Sequence, residues 1–218
     1  MTPKTLNVPL LPAGVSDMDT AIELYGARFD VDCVNWPSAF PYAPLCSGRV
    51  ARTADALVVD FRVSGMDLRA RNQADNLRQW EDSCVEVFIE NPDGSAYYNF
   101  EINPLGKVLA ASGPAREGRE TRPQDEMGQI LRFAQNDIRQ PEELAAKDLE
   151  GVQTWRIGVV IPFRLVGADP ANLPPVLKAN FYKCGDKTAH PHFLSWSPVG
   201  TPQPDFHRPD FFGQLRLV

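Results

Sequence analysis

Three carboxylates in the middle of the chain have the residue type and spacing for acid–base chemistry or for binding hydroxyl groups. Asp82 and Glu86 lie four residues apart, and Glu101 follows within twenty residues. A glycosidase needs two carboxyl groups about 5–10 Å apart, in a cleft that drives their pKa values apart. The sequence supplies no acid with an evidently raised pKa. We therefore predict that these carboxylates accept hydrogen bonds from hydroxyl groups, with a glycoside hydrolase or another sugar-processing enzyme as the alternative.

Two aromatic residues stand in polar surroundings, which distinguishes them from the expected core tryptophans Trp36, Trp155 and Trp196. Trp80 lies in the segment Arg-Gln-Trp-Glu-Asp, and Phe206 lies in Asp-Phe-His-Arg. An exposed ring flanked by charged residues suits a sugar, because the C–H face of a pyranose packs on the ring and the flanking groups bind its hydroxyls. Such stacking contributes about 1 kcal/mol per ring beyond the burial of area. A flat aromatic surface for a protein partner is the third alternative.

The elements that must position these side chains are two alternating segments. In 84–90, the β-branched residues at 85, 87 and 89 point one way and Glu86 points the other, a period of two that predicts a strand with two different faces. A polar loop over 91–95 leads into a second alternating segment, 97–103. We predict a β-hairpin over 84–103 whose polar face gathers Glu86, Asn99 and Glu101.

The rest of the chain predicts an all-β fold. About ten short segments with strand character are separated by turn signals, and twenty prolines are spread along the sequence. We predict one domain over 1–218, a β-sandwich of the jelly-roll or immunoglobulin-like kind with minor short helices. Helical turns are expected at 17–25 and 141–147. The charged segment 113–127 has no apolar period and is interpreted as a solvated loop.

Composition and missing motifs exclude several classes of function. A net charge of −6 repels phosphate backbones, so we expect no nucleic-acid partner. No apolar run approaches twenty residues, so we expect no membrane span. Phosphate-binding glycine motifs and the G-x-S-x-G elbow are absent. The amino terminus has no apolar signal core, which favours the cytoplasm for the sequence as written, or the periplasm or exterior if a leader has been removed.

The cysteines and histidines give weak indications of a metal. The four cysteines show no C-x-x-C spacing, so we predict reduced thiols that pack as small hydrophobic groups rather than structural zinc. His190 and His192 would project to one side of a strand, as a metal pair can, but no third ligand is evident. We interpret them as loop or edge histidines. No cofactor and no metal ligand is assigned.

Three sequence blocks resemble one known family. Trp80–Ile89 reads WEDSCVEVFI, Leu194–Ser197 reads LSWS, and Phe212–Leu217 reads FGQLRL. These blocks are similar, in the same order, to blocks of the family 9 carbohydrate-binding modules. The chain resembles still more the stand-alone bacterial proteins of this kind, which share YYNFE at 97–101 and NFYKCGD at 180–186. The resemblance implies a β-sandwich that binds a sugar without chemistry, in the type members at the reducing end.

The resemblance also implies roles for particular residues. Type members hold the sugar between two tryptophans, of which Trp80 matches the first and Phe206 stands at the second. Glu86 matches an acceptor of sugar hydroxyls. Glu101 stands where the family has an arginine. Because of this reversal of charge, the hydrogen-bond donor to the sugar must come from another residue.

Two arginines are the candidates for the missing donor, Arg71 and Arg208. Type members also bind calcium structurally, and the resemblance therefore implies a structural calcium, although its ligands cannot be matched residue by residue in this sequence.

Overall fold

Two β-sheets face each other in the computed structural model, which describes residues 2–133 and 141–218. These residues form fourteen strands: β1 (Thr5–Val8), β2 (Ala27–Asp30), β3 (Cys33–Val34), β4 (Leu45–Arg52), β5 (Ala56–Leu68), β6 (Cys84–Glu90), β7 (Tyr97–Ile102), β8 (Val108–Gly113), β9 (Glu120–Thr121), β10 (Leu131–Phe133), β11 (Leu149–Pro162), β12 (Val176–Cys184), β13 (Phe193–Ser195) and β14 (Gly213–Leu217). The helices are α1 (Met18–Tyr25), α2 (Gln124–Met127) and α3 (Pro141–Ala146), with 3-10 turns at Gln79–Glu81, Phe163–Val166, Pro170–Asn172 and Pro209–Phe211.

The larger sheet has nine strands and the smaller has five. The larger sheet runs β1-β14-β12-β6-β7-β8-β9, with β13 paired to β12 and β3 paired to β13. The smaller sheet runs β10-β11-β5-β4-β2. Strands β1 and β14 are parallel, whereas the other pairs are antiparallel. The predicted β-sandwich class is confirmed, and the described residues form fourteen strands rather than about ten.

The strands that the sequence did not reveal are short. β2, β3 and β9 have four, two and two residues, too few for an alternating pattern to be recognised. The predicted helix at 17–25 is present as α1. The Asp17 side chain accepts a hydrogen bond from the backbone N–H of Thr20 (3.2 Å), which caps the helix. The predicted turns at 141–147 are present as α3. No helix in the described part of the chain is long and apolar enough to span a membrane.

The core lies between the sheets and is built from the alternating faces of their strands. On β6, Val85, Val87 and Ile89 are fully buried in it. Aromatic rings join the two sheets, since Phe181 of β12 stacks on Phe29 of β2 at 4.3 Å between centroids. The side chains of alternate strand positions point away from this core. The other face of the nine-stranded sheet is therefore available to carry polar groups.

A second apolar cluster covers part of that other face. It joins residues of β6, β7 and β12 to the chain segment that precedes β14, and its buried members are Trp36, Cys84, Phe88, Tyr97, Tyr182, Cys184, Val199, Phe206 and Phe212. The segment from 198 to 212 thus packs over the sheet, and polar side chains beside it are enclosed between sheet and segment.

Candidate functional site

A pocket of about 160 Å³ lies beside this second cluster, where the polar face of the predicted hairpin meets the segment before β14. It is lined by Trp80, Glu86, Glu101, Arg116, Arg119, Cys184, Asp186, Phe193, Pro204, Asp205, Phe206 and His207. The predicted hairpin is confirmed as β6 and β7, with Glu86 directly opposite Glu101 in the antiparallel register. Directly opposed residues point to the same face of a sheet, and this places both carboxyl groups at the pocket.

Each of the two carboxyl groups accepts a hydrogen bond from one neighbouring side chain. The Cys184 thiol donates to Glu86 Oε1 at 3.0 Å, and the Asn99 side-chain amide donates to Glu101 Oε1 at 3.0 Å. Among the described residues, the buried Glu101 Oε2 has no hydrogen-bond partner. A buried acceptor that is left unpaired costs about 1–3 kcal/mol.

Burial changes the protonation of this pair. Desolvation raises the pKa of Glu86 to about 7 against the hydrogen bond from Cys184, which lowers it. Desolvation, followed by the charge of Glu86, raises the pKa of Glu101 well above its ordinary value. Two neighbouring carboxylates cannot both ionise freely. Near neutral pH the pair retains a proton and can therefore both donate and accept hydrogen bonds.

The donors with a permanent charge belong to the segment 113–127, which follows β8. Arg119 lines the pocket, and its guanidinium donates to Asn99 Oδ1 (3.0 Å) and to the carbonyl of Arg116 (3.1 Å). Arg116 forms an ion pair with Asp205 at 3.1 Å. The interpretation of 113–127 as a solvated loop is wrong, because the segment contains β9 and α2 and its Arg116 and Arg119 line the pocket. Its arginines carry no local pattern, and their contact with the hairpin depends on how the chain folds back.

The two predicted aromatic platforms differ in their exposure. Trp80 is half-buried at the pocket. Phe206 also lines the pocket, but only 8% of it is exposed, because one face stacks on Tyr182 at 4.1 Å between centroids and an interplanar angle of 13°. Phe206 therefore lines the pocket as a packed ring rather than as an open plate. Phe193 contributes a further ring that the sequence did not indicate.

A histidine next to Phe206 belongs to the same wall. The Nδ1 atom of His207 lies 2.9 Å from the hydroxyl of Tyr97. Burial, together with the charges of Arg119 and Arg116, lowers the pKa of His207 to about 3. The ring is therefore neutral at physiological pH and serves the pocket as a hydrogen-bonding group rather than as a cation.

Four other predicted residues do not line the pocket. Arg71 donates from Nε to Asp148 at 2.8 Å, and Arg208 forms a two-fold pair with Asp210 at 3.0 and 2.6 Å. Asn99 is fully buried, and its side-chain amide hydrogen-bonds to both Glu101 and Arg119. Asp82 is fully buried and accepts hydrogen bonds from backbone groups of the preceding loop.

The side chains of Arg71 and Arg208, predicted from the sequence as ligand-binding, are directed to carboxylates outside the pocket. Asp82, one of the carboxylates of the enzyme alternative, likewise lies outside it.

The histidine pair considered as a metal site is engaged by the protein itself. His192 Nε2 lies 2.8 Å from the Nζ atom of the buried Lys183, and His192 Nδ1 lies 2.7 Å from the carbonyl of His190. Burial and the charge of Lys183 lower the pKa of His192 to about 2, and the ring stays neutral. The His190 ring faces Asp67 at 3.3 Å. The two imidazoles therefore have separate structural partners.

One group of His, Cys, Asp or Glu side chains with at least three members converges closely enough to hold a metal within residues 2–133 and 141–218. It consists of Cys84, Glu86 and Cys184, whose donor atoms lie within 4.8 Å of one another. Calcium prefers six to eight oxygen ligands, so a group with two sulfur donors does not fit the structural calcium that the resemblance implies.

A family-model comparison and a comparison with solved structures both match carbohydrate-binding proteins. A family model described as carbohydrate-binding family 9 matches residues 19–217. A crystal structure of a candidate carbohydrate-binding protein from Bacteroides uniformis is 34% identical, with a TM-score of 0.86 and all of both chains covered. No curated protein sequence matches the chain.

Two solved family 9 modules from Caldicellulosiruptor kristjanssonii are more distant. The module in complex with cellotriose is 12% identical with a TM-score of 0.61, and the match covers 98% of this chain and 93% of the module. The module in complex with glucose is 12% identical with a TM-score of 0.59, and the match covers 99% and 96%. At this identity the likeness concerns the fold.

Proposed function

The chain belongs to carbohydrate-binding family 9, and on that premise we propose that the pocket at Trp80 binds a sugar without chemical conversion. The observation that carries the proposal is the meeting of one half-buried indole with the carboxyl pair of Glu86 and Glu101. An indole packs against the C–H face of a pyranose. The carboxyl groups of Glu86 and Glu101 line the same pocket as the indole and would bind the hydroxyls at the edge of the sugar ring.

The donor role is proposed for Arg119. Its guanidinium is fixed by Asn99 and by the carbonyl of Arg116, and an arginine held in this way is pre-organised for hydroxyl oxygens. Arg119 thus supplies from a loop the positive charge that the family carries at the position of Glu101. The pocket combines one aromatic face, carboxyl acceptors and a guanidinium donor, the combination that a polyhydroxylated ring requires.

The arrangement of the carboxyl groups argues against the hydrolase alternative. A glycosidase places its two carboxyl groups on opposite sides of the scissile bond. Glu86 and Glu101 are side by side on neighbouring strands and face the same way. A sugar seated on Trp80 would meet both from one side. This geometry favours hydrogen bonding over general acid–base attack.

Calorimetry with glucose and cellotriose, the ligands in the two Caldicellulosiruptor complexes, tests the proposal. A Kd between about 1 μM and 1 mM is expected, which corresponds to roughly −8 to −4 kcal/mol. Trp80→Ala is expected to weaken binding by about tenfold or more, because the stacking face is lost. The matched control is Tyr25→Ala, which removes an exposed ring on α1, outside the pocket. A folded protein that binds neither these sugars nor any member of a glycan array would overturn the proposal.

A pair of arginine variants tests the donor role. Arg119→Ala is expected to weaken sugar binding by about tenfold, because hydrogen bonds from a charged group contribute about 1.5–3 kcal/mol. Arg71→Ala is expected to leave the affinity unchanged, because Arg71 donates to Asp148. Both affinities are measured by calorimetry with the same ligand. If Arg71→Ala weakened binding as much as Arg119→Ala, the assignment of the donor to Arg119 would be wrong.

A further inference from the structure

Two cysteines that are about a hundred residues apart in the sequence are neighbours at the base of the pocket. Cys84 of β6 and Cys184 of β12 are directly opposite each other in the antiparallel register. Glu86 lies two residues after Cys84 and therefore points to the same face. The two sulfur atoms and a carboxylate oxygen of Glu86 lie within 4.8 Å of one another, and all three residues are buried.

The spacing of these atoms is close to that required by one tetrahedral ion. Zinc binds sulfur at about 2.3 Å and carboxylate oxygen at about 2.0–2.2 Å, so ligand atoms on one ion are about 3.5–3.8 Å apart. The Cys184 sulfur is already 3.0 Å from Glu86 Oε1. One ion would require these two atoms to separate by about 0.5 Å.

The chemistry of the donors selects the class of metal. Two thiolates favour soft or borderline ions, whereas magnesium and calcium favour oxygen alone. Three protein ligands with an open fourth position are also typical of zinc sites that contact solvent or substrate. Both Cys184 and Glu86 line the pocket, so the open position would face the cavity.

We propose that Cys84, Cys184 and Glu86 bind one zinc ion at the base of the pocket. Binding releases both thiol protons, and any proton on Glu86, to solvent. No oxidant or reductant takes part. Two thiolates and a carboxylate carry three negative charges against two positive charges on the ion, and the guanidinium of Arg119 at the same pocket offsets the remainder.

The described cysteines are free thiols, as the sequence predicts, and the proposal assigns a zinc ion to two of them. No C-x-x-C spacing exists because the two cysteines come from separate strands. The sugar and the ion would share Glu86, but the two proposals are tested by different measurements, and failure of one leaves the other standing.

The test is a titration of the freshly reduced, desalted protein with Co²⁺ and then with Zn²⁺, in the absence of sugar. One Co²⁺ per chain is expected, with the near-ultraviolet sulfur-to-cobalt band that only thiolate ligands produce, and Zn²⁺ is expected to displace it. Cys184→Ser is expected to bind at least tenfold more weakly and to lose much of the band. Cys46→Ser is the matched control, since Cys46 is also buried but lies on β4 of the smaller sheet, and it should behave as wild type.

A second variant keeps the test decisive if Cys184→Ser does not fold. Glu86→Gln retains both thiols and is expected to weaken Zn²⁺ binding at least tenfold while the thiolate band persists at saturation. Absence of the band in reduced, folded wild-type protein would overturn the proposal, as would a band of equal strength in a folded Cys184→Ser. Formation of a disulfide between Cys84 and Cys184 in air, by a protein that binds no metal when reduced, would identify a redox pair instead.

Discussion

Replacement of Asp82 by alanine is expected to lower the free energy of unfolding by about 4 kcal/mol. The Asp82 carboxylate is fully buried and accepts hydrogen bonds from the backbone N–H groups of Arg71 (3.0 Å) and Asn72 (2.9 Å) and from the side-chain amide of Asn103 (3.1 Å). Arg69 lies 3.5 Å away as a counter-charge. Alanine would leave these donors unpaired in the interior, and each such donor costs about 1–3 kcal/mol.

Urea denaturation of Asp82→Ala beside Asp210→Ala measures this effect. Asp210 is an exposed acid paired with Arg208, and its loss is expected to change stability by about 0.5 kcal/mol or less. Asp82→Asn, which keeps one acceptor oxygen, should lie between the two. Equal stability of Asp82→Ala and Asp210→Ala would refute the structural role of Asp82. The residue that the sequence offered as a catalytic candidate is thus assigned to holding the loop before β6.

Wild-type protein is expected to lose about 3 kcal/mol of stability relative to Glu86→Gln as the pH rises from about 4.5 to about 7. The pKa of Glu86 is raised from an ordinary value of 4.5 to about 7, chiefly by desolvation. Below pH 4.5 the carboxyl is protonated in both the folded and the unfolded chain. Between pH 4.5 and about 7, the Glu86 carboxyl ionises in the unfolded chain but stays protonated in the folded chain. The stability that the neutral carboxyl contributes is therefore lost as pH rises, at about 1.4 kcal/mol per pH unit.

Glutamine removes this dependence because its amide does not titrate. The charge of Glu86 also raises the pKa of Glu101. Removal of that charge therefore also lowers the electrostatic cost of ionising Glu101 in the folded protein. Urea midpoints at several pH values between 4.5 and 7.5, with a chelator present to exclude metal, measure the difference. Glu117→Gln, at an exposed position in the loop after β8, should give a curve parallel to that of wild type. Parallel curves for Glu86→Gln and wild type would show that the raised pKa of Glu86 does not govern stability.

The shared location of Glu86 and Glu101 could be predicted from the local sequence pattern. Alternation with a period of two put Glu86 on one face of β6 and Glu101 on one face of β7, and the short polar loop between the strands made them a hairpin. Side-chain direction in a strand is a local property, so both residues could be placed in one site before any tertiary contact was known. The sequence blocks around Trp80 likewise indicated a carbohydrate-binding family, and the family match confirms it.

Which other side chains lie beside Glu86 and Glu101 was decided by the tertiary structure alone. Arg119 reaches Asn99 from a segment with no periodic pattern, whereas Arg71, a sequence candidate for the donor, is directed to Asp148. Phe206 has a polar sequence neighbourhood, yet its ring is stacked on Tyr182.

The pairing of Cys84 with Cys184 likewise depends on β12 lying next to β6. The physical reason is the same in each case. Periodicity fixes the face to which a side chain points, but the partner it meets is set by the packing and register of strands that are remote in the chain.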